Sequence, residues 1–170
     1  MDPFFLWIEN WPLSVWTREA TTIWAFPFIL VLHTIGLAFM VGVNVAVDLR
    51  ALGGAMGVPL ASLRRYYRWM WAGFWVNAFS GVLLLIAYPT KALTNPLFYL
   101  KLTLIGVGLV LAAKIRVYVT GGAVGASDAA PRQLRKLAAV SLLIWVATIT
   151  AGRLLAYTCS RLTVETSCGY

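Results

Sequence analysis

Four long runs of apolar residues alternate with short polar segments along the chain. The runs cover residues 22–47, 71–90, 98–119 and 134–157. Each is close to the ~20 residues that cross ~30 Å of hydrocarbon at ~1.5 Å per residue. The pattern predicts an all-α fold, a polytopic membrane four-helix bundle that uses the chain as a single membrane domain, 1–170.

A shorter amphipathic pattern precedes the first run, between residues 3 and 19. Six apolar side chains recur there at helical spacing, and polar residues lie between them. The six are Phe4, Trp7, Ile8, Trp11, Val15 and Trp16. Trp-rich segments of this kind lie flat at the headgroup level, and Pro12 would kink or break such a helix. There is no basic n-region and no A-x-A site, so a cleavable signal is disfavoured. We predict an interfacial amphipathic segment over 3–19, on the outer surface.

Composition and the placement of charge narrow the class further. The chain is 61% hydrophobic and 12% charged, against ~25% charged in soluble domains. Of its 14 basic residues, nine flank the first and third connections between the runs and five belong to the opposite side. The nine are Arg50, Arg64, Arg65, Arg68, Lys114, Arg116, Arg132, Arg135 and Lys136, and the five are Arg18, Lys91, Lys101, Arg153 and Arg161.

This asymmetry is the positive-inside pattern. It predicts a multi-pass membrane protein with both termini outside and both basic loops in the cytoplasm; in a bacterial inner membrane the outside would be the periplasm. The net charge of +8 is then explained by topology and by contact with anionic membrane lipids, and nucleic acid is not predicted as a partner.

The two cysteines, Cys159 and Cys168, fall in the predicted outer tail, 158–170. In an oxidising periplasm they could close a small disulfide loop. Two free thiols are the alternative. A metal pair is disfavoured because no histidine or third cysteine lies nearby.

Helical phase groups the polar residues toward the cytoplasmic end. Asn44 and Asp48 lie on the inward stripe of the first helix, and Asn77 lies on a small, polar face of the second. We predict a structural polar cluster of Asn44, Asp48 and Asn77, with an ion pair from Arg50 or Arg68. A proton or ion path is the alternative, although Asp48 is the one acid available along the membrane.

The single histidine, His33, lies near the middle of the first run, where an ionisable side chain is costly without a partner or a task. One hypothesis is a neutral imidazole that hydrogen-bonds Ser80 or Thr148 across helices. The other is an axial ligand of haem b, with Lys101 and Arg153 as anchors of the propionates. Those two cations could instead snorkel to the headgroups.

Several sequence blocks carry a resemblance. LHTIG (32–36), DLRALG (48–53), NPLFYLK (95–101) and AGRLLAY (151–157) occur in this order. With them the chain resembles a family of small uncharacterised bacterial four-helix integral membrane proteins, which implies the fold and no activity. L-H-x-x-G and F-x-x-K-L are more loosely similar to copper-resistance-D proteins, to the bacterial membrane protoporphyrinogen oxidase and to b-type haem bundles. Haem-binding relatives commonly carry a second histidine, which this chain lacks.

Three classes of function follow. The leading prediction is an accessory or scaffold subunit of a larger membrane assembly, which could be a redox assembly. Such a subunit would bind a protein partner or a second copy of the chain. Eight Trp, eight Phe and seven Tyr supply more aromatic surface than two interfacial belts need. The alternative is a b-type haem redox protein that uses His33. A transporter of a small solute or a metal ion is third, since paired carboxylates and inverted repeats are absent from the sequence. No catalytic residues and no metal site are predicted.

Overall fold

The computed structural model of the chain describes residues 3–54, 58–120 and 130–157. Helices account for nearly all of these residues, and no strand occurs among them. The helices are α1 (Pro3–Glu9), α2 (Pro12–Glu19), α3 (Phe26–Ala51), a 3₁₀ helix (Leu60–Tyr66), α4 (Tyr67–Ala87), α5 (Pro89–Leu93), α6 (Pro96–Thr120) and α7 (Arg132–Tyr157). The predicted all-α fold class is therefore confirmed.

Four helical segments are long and apolar enough to cross a membrane. They are Phe26–Ala51, Ser62–Ala87, Pro96–Thr120 and Arg132–Tyr157. The predicted runs match them to within about four residues at every end except the start of the second. Residues 22–25 lie ahead of α3, whose first turn holds Pro27, a position that tolerates proline. The second span starts early because the 3₁₀ helix runs directly into α4.

The four spanning helices form an up-and-down bundle in the lateral order α4, α3, α7, α6. The antiparallel pairing of α3 with α4 is shown by contacts of Gly36 with Gly73 and of His33 with Gly81. Between α6 and α7, Gly108 lies against Trp145 and Lys101 lies against Gly152. The centre of the bundle is filled by Trp145, packed with Met40 and Val41 of α3.

One end of the bundle carries most of the positive charge, and we call it the basic end. It comprises the 3₁₀ helix, the start of α4, the end of α6 and the start of α7. Tyr67, Ile115 and Leu134 belong to an apolar cluster buried there. The guanidinium of Arg116 lies 5.6 Å from the centre of the Tyr67 ring, so α6 is held to α4 at this end.

The opposite end, which we call the terminal end, is covered by α1, α2 and α5. The predicted segment 3–19 is two helices, broken ahead of Pro12. Ser14 donates a 2.9 Å hydrogen bond to the carbonyl of Ile86, and Thr90 donates a 2.6 Å bond to Glu9. Trp7 and Trp11 point away from the protein. The polar side of α2 therefore packs on α4 and the tryptophans are left outside.

Candidate functional site

His33 and Asn77 tie α3 to α4 by a reciprocal pair of hydrogen bonds. The side-chain amide of Asn77 donates to the backbone carbonyl of His33 over 2.7 Å. In return, Nδ1 of His33 lies 3.1 Å from the backbone carbonyl oxygen of Asn77. Each residue therefore supplies one side chain and one carbonyl to its partner. In a membrane interior such interhelical bonds replace the solvation that water would give.

The neighbours of Nδ1 settle the direction of its hydrogen bond. Nδ1 also lies 3.2 Å from Oγ of Ser80. The Ser80 hydroxyl already donates to the carbonyl of Val76 over 2.6 Å, and a carbonyl can only accept. Nδ1 is therefore the donor to both oxygens, and Nε2 of the neutral imidazole carries the free lone pair. Of the two predicted hydroxyl partners, Ser80 is the one that His33 contacts.

Glycines let the two backbones approach closely at this point. A Cβ on Gly36 would lie 2.6 Å from the backbone nitrogen of Asn77 and 2.8 Å from the carbonyl oxygen of Gly73. A Cβ on Gly73 would lie 2.8 Å from the carbonyl oxygen of Gly36. Small residues at a close crossing are typical of membrane helices. A Cβ on Gly81 would lie 3.2 Å from Cε1 of His33, so this glycine makes room for the ring.

Lys101 reaches the same region from α6, while Arg153 does not. The Lys101 side chain runs inward across Gly152, with Nζ 3.8 Å from where a Cβ of that glycine would stand. Arg153 is exposed on α7. Of the predicted haem-binding set, the structure therefore packs His33 against Gly81 and Lys101 against Gly152, and it leaves Arg153 exposed.

The predicted polar cluster is divided between two levels of the bundle. Asn77 lies beside His33, as described above. Asn44 and Asp48 lie nearer the basic end, both buried, and the amide of Asn44 donates to the carbonyl of Met40 in its own helix over 2.7 Å. Because α4 is antiparallel to α3, position 77 is level with positions 33–36 and not with position 48.

Asp48 is 1% exposed, and its Oδ2 has no hydrogen-bond partner within the described residues. Ser141 of α7 approaches the carboxyl, but its hydroxyl does not reach hydrogen-bond geometry with any described residue. The two predicted arginines have other contacts. Arg50 donates to the carbonyl of Val58 over 2.5 Å, and Arg68 lies 5.7 Å from the centre of the Trp69 ring.

The face of α4 that points away from α3 is aromatic along much of its length. Trp71, Trp75 and Phe79 follow one another at four-residue spacing, on one side of the helix. Trp75 is 67% exposed and Phe79 is 70% exposed. We call these three residues with Val82 the aromatic face. The number of aromatic residues in the sequence exceeds what two interfacial belts need but does not locate the surplus. The spacing of positions 71, 75 and 79 is the sequence signal that locates it.

The predicted disulfide of Cys159 and Cys168, and the outer tail that carries it, lie outside the described residues. The chain matched no protein family model, no curated protein and no solved structure when it was compared with each.

Proposed function

We propose that this protein is an accessory subunit of a larger membrane assembly and that it binds its partner through the aromatic face of α4. The observation that carries the proposal is the position of Trp75. It lies at the middle of the spanning segment Ser62–Ala87 and is 67% exposed. Tryptophan on a membrane protein is normally enriched at the two interfaces, where the indole N–H meets water or headgroups.

An exposed indole at mid-membrane carries an unmet hydrogen bond. Trp75 makes no hydrogen bond within the described residues; its nearest ring neighbour is Phe74, 5.3 Å away between centroids. Lipid chains offer no acceptor, and an unpaired polar group in hydrocarbon is costly. A hydroxyl or carbonyl of a neighbouring transmembrane helix would supply the acceptor, and the rings of Trp71 and Phe79 would add packing area on either side.

The proposal also includes the membrane in which the protein lies and its orientation there. The resemblance of the sequence blocks to a bacterial family favours a bacterial inner membrane. The asymmetry of basic residues then supports an orientation with the basic end in the cytoplasm and both termini in the periplasm. In this orientation α1 and α2 lie on the periplasmic surface, where the exposed rings of Trp7 and Trp11 would sit at headgroup level. The aromatic face of α4 and the periplasmic surface of α1 and α2 then both carry aromatic side chains that a partner can contact.

Capture of the intact complex tests the proposal. The tagged protein is extracted from its native membrane in a mild detergent, and co-purifying membrane proteins are quantified. We expect one partner, or a second copy of the chain, at a fixed ratio. Trp75→Phe removes the indole N–H together with one of the two fused rings but keeps an aromatic side chain, and it should weaken the association, whereas Trp75→Leu should abolish it. The control is Leu143→Ala on α7, a residue that is 70% exposed. A monodisperse monomer from every sample would refute the proposal.

A second candidate, a b-type haem redox protein, is favoured by one observation at His33. Donation from Nδ1 to the Asn77 carbonyl, 3.1 Å away, fixes the tautomer whose Nε2 lone pair can bind iron, as in other metal-ligating histidines. His33 and Lys101 would then serve as axial ligand and propionate anchor. Arg153, which is exposed, would not take part. A bound haem would supply one-electron transfer.

An absorption spectrum separates the two candidates. Protein expressed with an ample supply of haem should show a Soret band if His33 is a ligand, and His33→Ala should remove or shift it. Asn77→Ala serves as the second variant, since it removes the side-chain amide that bonds the His33 carbonyl and leaves the imidazole in place. Protein without a Soret band, or with a band that His33→Ala does not change, would eliminate the haem candidate.

A further inference from the structure

A cleft opens between α6 and α7 at the basic end of the bundle. Its volume is about 570 Å³. Two lysines line it, together with two neutral polar side chains and two apolar ones: Lys114, Lys136, Tyr118, Gln133, Val117 and Leu137. The Tyr118 hydroxyl is 3.1 Å from Oε1 of Gln133, to which it donates, so the cleft is bridged at one side by a hydrogen bond between the two helices.

The positive charge in this cleft has no acidic neighbour in the described parts of the chain. The acidic residues described there are Glu9 and Glu19 at the terminal end and Asp48, which is buried against α7. Neither lysine forms an ion pair or hydrogen bond with a described residue, whereas Arg18 and Glu19 are 3.9 Å apart at the other end. Two ammonium groups that line one cleft with no carboxylate from any described residue beside them favour an anionic ligand.

The depth of the cleft identifies the source of that anion. Lys114 lies six residues before the end of α6 and Lys136 four residues after the start of α7, which is roughly 9 Å and 6 Å along each helix axis. These depths correspond to the boundary between headgroups and acyl chains. A phosphate bound here would therefore belong most naturally to a lipid.

The surfaces that continue from the cleft toward the membrane centre are apolar. On α6, Val107 and Val110 share the helix face of Lys114 and are exposed. On α7, Val140 and Leu143 share the face of Lys136 and are also exposed. Acyl chains that leave the cleft along these two faces would run between aliphatic side chains while the phosphate stays with the lysines.

We propose that the α6–α7 cleft is a binding site for one anionic glycerophospholipid, whose phosphate is held by Lys114 and Lys136. Basic pockets between transmembrane helices bind anionic headgroups in this way. The proposal does not depend on the partner subunit or on haem, because it uses neither the aromatic face nor His33.

Native mass spectrometry of the purified protein tests this site. The protein is exchanged into detergent with phosphatidylglycerol or with phosphatidylcholine at equal concentration, and bound lipid is counted. We expect one phosphatidylglycerol retained per chain in preference to phosphatidylcholine. Lys114→Gln with Lys136→Gln should weaken retention at least about tenfold, since each lysine near an anionic headgroup contributes several-fold in affinity. Arg132→Gln with Arg135→Gln removes equal charge from exposed positions outside the cleft and is the control.

Three other outcomes of this experiment would each overturn the proposal. Equal losses in the lysine pair and the arginine pair would mean that phosphatidylglycerol responds only to net charge. Equal retention of the two lipids by the unaltered protein would remove the requirement for an anion. Displacement of the lipid by millimolar inorganic phosphate would show a site for the free anion, with no contribution from the acyl chains.

Discussion

The two faces of α4 have opposite character, although they lie at the same depth in the membrane. The face toward α3 carries Gly73, Asn77 and Ser80, all buried, and its polar side chains are hydrogen-bonded. The opposite face carries Trp75 and Phe79, both largely exposed. The first face is complete within one chain, and the second leaves an indole N–H without an acceptor in the described structure. The inward face therefore stabilises the fold, and the outward face is the surface that we propose binds a partner.

The largest loss of stability is expected from a methyl group at the backbone crossing. Gly36→Ala places a Cβ 2.6 Å from the backbone of Asn77, and backbone atoms cannot move aside cheaply. We expect the free energy of unfolding to fall by ~1–3 kcal/mol, as for other overpacked sites. The measurement is an unfolding titration with SDS in mixed micelles, followed by circular dichroism.

The matched control lies on the same helix. A Cβ on Gly42 meets nothing within 4 Å, so Gly42→Ala should leave the unfolding free energy unchanged or raise it by up to ~1 kcal/mol through helix propensity. Equal effects of the two substitutions would show that α3 and α4 do not cross at Gly36.

A smaller loss is expected when the interhelical amide is removed. Asn77→Ala deletes the donor to the His33 carbonyl and should lower the unfolding free energy by ~0.6–1.7 kcal/mol, the range found for hydrogen bonds between membrane helices. Asn44→Ala removes an amide that bonds within its own helix. In the same titration, Asn44→Ala should leave α3 and α4 associated. Dissociation of α3 from α4 by Asn44→Ala alone would contradict the claim that Asn77, and not Asn44, bonds the two helices.

Two buried serines offer the same substitution in a bonded and an unbonded setting. Ser80→Ala removes a hydroxyl that accepts from His33 and donates to Val76, and a loss of ~0.6 kcal/mol is expected. The hydroxyl of Ser141 has no hydrogen-bond partner in the described structure. Ser141→Ala should therefore be neutral or stabilising, because it removes an unsatisfied buried group. A larger loss for Ser141→Ala than for Ser80→Ala would place a partner, such as water, at Ser141.

The smallest effect on stability is expected on the outward face. Trp75→Leu changes a side chain whose surface is largely exposed, so the unfolding free energy of the isolated protein should shift by less than ~0.5 kcal/mol. A loss comparable to that of Gly36→Ala would mean that Trp75 supports the fold of the single chain, and the aromatic face would then lose its claim to be an interface.

The sequence predicted the fold more completely than the site, for physical reasons that particular residues illustrate. Run length and helical phase placed the four spans and the inward faces of α3 and α4. Phase does not reveal how far one helix is shifted along its neighbour, so Asn77 was grouped with Asp48. The shift is set by the contact of Gly36 with Gly73, which depends on two backbones at once.

The two cations of the haem hypothesis are a second case in which the positions along single helices do not give the contacts between helices. Lys101 and Arg153 both lie a turn or two from the terminal end, and by depth alone they form one cluster. In the structure Lys101 crosses Gly152 toward the His33 level, while Arg153 points outward from α7. Which of two cations turns inward is decided by the space that a glycine opens on the facing helix, and this space becomes visible when the helices are paired.

Site-directed photocrosslinking in the native membrane is the most direct test of the claim that the aromatic face of α4 binds a partner. A photoreactive side chain is placed at position 75, and in a separate variant at position 143, which is equally exposed on α7. A discrete protein adduct from position 75, with lipid adducts alone from position 143, is the predicted result. Lipid adducts alone from both positions would contradict the account.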